Sequence, residues 1–134
     1  MRVLHRSVAI LAMMATISPA YAACQQSDLQ GTWQSYSSAD STSGSFWVRC
    51  KLKINSTGGI ANAPCFTWDG TKGTLTNGSV SIVNANLCTF KATFRLFGSV
   101  NRVKHGTLAP DGTTGTGVGT FPKGIFLFTL VKIN

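Results

Sequence analysis

Four cysteines, at positions 24, 50, 65 and 88, carry the most definite chemistry in this chain. The set is even and contains no Cys-x-x-Cys pair, so it favours two disulfides over a metal or redox centre. His105 is the only histidine after residue 22, which leaves a zinc site without ligands. Four cysteines allow three connectivities. A turn centred on Thr57 and Gly58 would set Ile54 against Ala61, Leu52 against Ala63 and Cys50 against Cys65, cross-strand neighbours that can bond. The preferred pattern is therefore Cys50 with Cys65 and Cys24 with Cys88.

Acid–base chemistry has little to draw on. After residue 22 the acidic residues are Asp28, Asp40, Asp69 and Asp111, with no Glu. Asp69 precedes Gly70 and Asp111 precedes Gly112, which are turn positions. Asp40 lies in the Ser- and Thr-rich stretch 37–44, which reads as a mobile loop, and Asp28 precedes the first strand signal. No nucleophile stands with a base, so the chain reads as non-enzymatic, with no cofactor and no metal. Gly115, Gly117 and Gly119 strip one face of a strand of side chains. That leaves packing space for aromatics, a strand bend or a ligand groove. With no following helix and no Gly-Lys-Ser/Thr, it is not a phosphate loop.

Ten Lys and Arg face those four Asp after residue 22. The excess suits anionic partners such as lipid head groups, polysaccharide or nucleic acid, and it also serves solubility alone. Strand alternation puts Val48, Cys50, Leu52 and Ile54 on one face and Arg49, Lys51 and Lys53 on the other. The stretch 87–98 repeats this, with Lys91 and Arg95 opposite Phe90 and Phe94. A turn near 98–101 would bring Arg95 opposite Lys104 and Phe97 opposite Arg102. Lys91, Arg95, Arg102, Lys104 and His105 are then either an anion-binding face, with Phe97 beside it, or solvated outer positions.

These residues need a scaffold, and the punctuation describes one. Arg2 and Arg6, an apolar run over 8–14, and Ala20 and Ala22 flanking Tyr21 form a secretory signal peptide over 1–22, pointing to the periplasm or the extracellular medium. Tyr21 stands where a lipobox carries an aliphatic residue, which argues against lipidation of Cys24. No transmembrane segment is expected, because the leader's apolar run is too short to span a bilayer. Residues 23–134 make one domain. Short β-branched and aromatic runs near 31–38, 45–55, 59–68, 72–76, 79–84, 87–98, 101–109, 113–121 and 124–133 alternate with turn residues. The expected fold is all-β, a single antiparallel meander barrel of eight or nine strands, disulfide-stabilised. Asn77 and Gly78 read as a two-residue hairpin turn. The last strand is apolar on both faces, so its outer face needs a cover: the N-terminal segment, a membrane surface or a second subunit in a homodimer.

Gly31, Thr32 and Trp33 at the first strand of such a meander resemble the calycin superfamily: lipocalins, avidin-type proteins and bacterial protease-inhibitor barrels. The resemblance implies that Trp33 closes the barrel floor beneath a basic residue from near the C-terminus, for which Lys132 is the candidate. No Trp follows Trp68, so the biotin site of avidins is not carried over. The functional expectation is a non-enzymatic exported binding protein. Its ligand is either a small apolar molecule at a mouth lined from Trp33, Trp47, Trp68, Phe90 and Phe94, or an anionic polymer on the basic face. The alternative is an inhibitor of a protease or lysozyme.

Overall fold

In a computed structural model, which describes residues 23–134, alternating burial turns nearly every one of these runs into a stave of one closed sheet. The leader expected over 1–22 lies outside the described residues. The strands are β1 (Gly31–Ser41), β2 (Gly44–Ile54), β3 (Gly59–Ile60), β4 (Ala63–Thr67), β5 (Lys72–Asn84), β6 (Thr89–Leu96), β7 (Ser99–Leu108), β8 (Thr114–Phe121) and β9 (Gly124–Lys132). Neighbours pair antiparallel in chain order, and β1 pairs with both β2 and β9, which closes the ring. The short β3 and β4 both lie between β2 and β5 and share one stave, giving an eight-stave barrel. Eight staves leave a lumen that side chains can fill or that holds one small ligand.

The alternation is clearest on β2, where Val48, Cys50, Leu52 and Ile54 are buried and Trp47, Arg49, Lys51 and Lys53 are exposed. On β9, Phe126, Phe128 and Leu130 point inward while Ile125, Leu127 and Val131 face out. β8 places Gly115, Gly117 and Gly119 across from Leu130, Phe128 and Phe126. A Cβ on Gly117 would stand 2.8 Å from Phe128 Cζ, and one on Gly119 would collide with the Phe126 ring. The bare face of β8 is thus the space into which the β9 rings pack.

One end of the barrel is sealed. Trp33 is fully buried and its indole N–H donates to the Leu29 carbonyl at 2.8 Å, within a 3-10 turn over Gln26–Leu29 that crosses the lumen. Lys132 Nζ sits 5.1 Å from the Trp33 ring and donates to the Asp28 carbonyl at 3.1 Å. The cation therefore stacks on the indole while donating one of its hydrogen bonds to the crossing turn. Gln26 fastens that turn to β5: its amide donates to the Val80 carbonyl and its side-chain oxygen accepts from the Ile82 N–H, both at 2.9 Å. Cys24 is bonded to Cys88 beyond the end of β5, with a Cα separation of 5.3 Å. Cys50 and Cys65 are cross-strand partners 4.3 Å apart at Cα and form the second disulfide.

Four local expectations are corrected. Asn77 and Gly78 do not turn the chain, because β5 runs through them. Thr76 pairs with Arg95 and Ser79 with Thr93, so one residue is extra on β5; Asn77, at φ 50°, supplies the left-handed residue of a bulge. The stretch 37–44 is no mobile loop. β1 continues to Ser41, which faces Gly44 across a two-residue turn, because alternating Ser and Ala suit an inner face. Ile54 pairs with Ile60 and not Ala61, so the register slips by one residue before it reaches Cys50 and Cys65. Finally, Leu96 pairs with Ser99, making Phe97 and Gly98 the β6–β7 turn, both at positive φ. Arg95 consequently faces Val100 and not Lys104, and Arg102 faces Thr93 and not Phe97.

Candidate binding site

Above the Trp33 floor the lumen is not filled. A cavity of about 260 Å³ runs up the barrel axis, walled low down by Leu52, Leu75, Phe90 and Leu130 and higher up by Phe46, Phe94, Phe121 and Phe126. It reaches the opposite end, where Ser41, Ser43, Phe97 and Lys123 line it from three turns. Its polar groups are few: Ser35 and Ser37 on β1, Ser99 and Asn101 on β7, and the rim residues. Asn101 is buried and donates to the Ser99 carbonyl at 2.9 Å. Among the described residues, no buried side-chain nitrogen or oxygen lacks a hydrogen-bond partner. The aromatic rings brace one another, with Phe94 on Phe126 and Phe90 on Phe128 at centroid distances of 6.1 Å. Such a lumen offers dispersion contacts and a handful of hydrogen bonds, the composition of small-molecule sites.

The five aromatic positions expected at a mouth separate. Phe90 and Phe94 line the cavity. Trp33 lies beneath it as the floor and does not line it. Trp47 is 48% exposed on the outer face, because it alternates with the buried Val48. Trp68 is 63% exposed in the turn after β4. Neither of these two indoles touches the lumen. The lining aromatics missed by sequence reasoning are Phe46, Phe97, Phe121, Phe126 and Phe128. For two of them a signal existed, since Phe126 and Phe128 share the parity of the stripped glycines that face them.

The five basic residues expected to bind anions, Lys91, Arg95, Arg102, Lys104 and His105, all lie outside. Lys91 stands opposite a bulge in β7 that holds Lys104 and His105, since Phe90 pairs with Gly106 and Ala92 with Val103. Arg102 lies between Thr93 and Thr120, and Arg95 between Thr76 and Val100. The five residues thus occupy two strands as a spread strip. Phe97 does not join them, because its ring packs over Gly73 and lines the cavity rim.

Each aspartate is engaged locally. Asp28 accepts from the Gln25 N–H, and Asp40 from the Ser45 hydroxyl. The Thr67 hydroxyl and then the Thr71 N–H hold the Asp69 carboxyl below the ordinary carboxylate range. The Thr113 N–H and hydroxyl do the same for Asp111. Asp69 and Asp111 are thus stabilised as anions in exposed turns, the opposite of the raised value a general acid needs. Among the described residues, no group of three or more His, Cys, Asp or Glu could hold a metal ion, and no helix is long and apolar enough to cross a membrane. No protein-family model, curated protein or solved structure matches the chain.

Proposed function

We propose that this barrel is a non-enzymatic binding protein that takes one small, largely apolar molecule through the end bounded by Phe97 and Lys123. The observation that carries the reading is the lumen: about 260 Å³, walled by Phe and aliphatic side chains and sealed at one end only. Drug-sized ligands occupy roughly 300–1,000 Å³, so the molecule taken is at or below the small end of that range. Ser37, Asn101 and Lys123 give such a ligand an orientation, with its polar end toward the rim. In this reading residues 1–22 are an export leader. The two disulfides support it, since they persist in oxidising compartments.

The test is native mass spectrometry of protein purified gently from its natural source, paired with displacement of an apolar fluorescent probe. A reproducible adduct, and probe binding abolished by Ala92→Phe in a protein that still folds, are the expected results, because Ala92 lines the lumen. A bare protein that takes up no probe would overturn the reading.

A further inference from the structure

The outer wall formed by β2, β1, β9 and β8 carries a band of exposed large apolar side chains among its polar ones. Trp47, Ser38, Leu127 and Val118 follow one another across the four strands in register. Tyr36 lies two residues before Ser38 on the same face, and Ile125 two before Leu127. Tyr36 is 52% exposed, Leu127 58% and Ile125 57%, beside Trp47 at 48%. A shallow hollow lined by Tyr36, Ser38, Trp47, Leu127 and Thr129 marks the centre of the band. Contiguous exposed apolar surface of this kind marks an interaction site.

The flanks of the band identify what it meets. On the β2 side stand Arg49, Lys51 and Lys53, and on the β7 side Arg102 and Lys104, all exposed. No Asp or Glu follows Asp111, and the only acidic side chain on these four strands is Asp40, exposed across from Ile125 at the mouth end of the band and hydrogen-bonded by the Ser45 hydroxyl, so the cations outnumber it. Because both flanks are cationic, a second copy docked on the band would set cation against cation in either orientation. A polysaccharide would satisfy the flanks and leave the Trp, Leu and Ile unused. A lipid surface with anionic head groups satisfies both, and being soft it can conform to the convex wall of a barrel. Trp and Tyr are the residues that settle at that boundary, and each nearby Lys or Arg adds attraction to anionic lipid.

We propose that this wall docks the barrel on an anionic lipid surface. Trp47, Tyr36, Leu127 and Ile125 enter the head-group layer, and Arg49, Lys51, Arg102 and Lys104 contact the lipid phosphates. The surface is separate from the lumen and stands whether or not the lumen takes a ligand.

Flotation with phosphatidylglycerol-containing vesicles, compared with phosphatidylcholine alone, tests it. The protein should float with the anionic vesicles only. In a Trp68→Phe background, Trp47 emission should shift to the blue on binding. Leu127→Ser should weaken binding about tenfold, the effect of withdrawing one aliphatic side chain. Arg49→Gln and Lys51→Gln should each weaken it about fivefold. All three positions are exposed, and near-UV circular dichroism checks that each variant is folded. Absence of flotation, or flotation indifferent to Leu127→Ser, would overturn the proposal. So would binding lost through Lys91→Gln but kept in Arg49→Gln, which places the contact on the other wall. A dimer that Leu127→Ser dissociates would assign the band to a second copy instead.

Discussion

At one end of the barrel Trp33, Leu29 and Lys132 fill the lumen, while at the other the lumen opens between short turns of Ser, Gly, Phe and Lys. The bonds holding the two ends differ in reach. The floor is tied by contacts between residues far apart in the chain: Gln26 to Val80 and Ile82, Lys132 to Asp28, and Cys24 to Cys88. The mouth has one tie of that reach, the Thr42 N–H donating to the Lys123 carbonyl at 3.1 Å, and is otherwise held locally, as where the Ser41 hydroxyl donates to the Gly44 carbonyl at 2.8 Å and where Asp69 gathers Thr67 and Thr71. Long-range ties report on the whole fold, whereas local ones open by themselves. The sealed end is therefore the structural end and the open end the adaptable one.

The comparison breaks most readily at the floor. Trp33→Ala removes a fully buried side chain and the partner of both the Leu29 carbonyl and the Lys132 ammonium, so it should cost about 3–5 kcal/mol in urea unfolding. A truncation at the mouth, Phe97→Ala, serves as the contrast. If it cost as much as Trp33→Ala, the two ends would not differ as described. Next in size is the paired substitution Cys24→Ser with Cys88→Ser, which frees the crossing turn and should cost about 2–4 kcal/mol. Hydrogen exchange should then rise at Gln26–Leu29 while the mouth turns stay as they were. Uniform loss of protection would show the floor and wall to be one unit.

Acid should act most weakly. The Asp69 and Asp111 carboxyls titrate below their unfolded values, so each contributes stability above the unfolded pKa that is lost as pH falls through the folded one. Both groups are exposed, so the effect is small. In an acid titration the Thr71 and Thr113 amides should lose protection while the Trp33 indole N–H keeps its own. Asp69→Asn should flatten the response at Thr71 alone.

The strand registers separate what is legible in the sequence from what is not. Cys50 pairs with Cys65 as expected even though the neighbouring pair slips to Ile54 with Ile60. Two bridgeable cysteines on facing strands tolerate a bulge between them and the turn. The basic strip was less legible, because a turn displaced to Phe97 and Gly98 changes every partner beyond it. Nothing in a Phe-Gly pair resembles the Asn-Gly signal, and the chain's one such pair, Asn77 and Gly78, serves a bulge instead.

What the sequence determined by itself was the alternation of faces on β2 and β6, the bare glycine face of β8 and the even cysteine set. All of these depend on residue type and period two, which are local properties. Closure of the ring, the register of each pair and the side on which each tryptophan lies were decided by the tertiary structure. Trp33 and Trp47 are the same residue type on adjacent strands, yet one is buried at the floor and the other half exposed on the wall. A single step of parity separates those fates, and only the closed sheet, by giving the strands an inside, makes that step count.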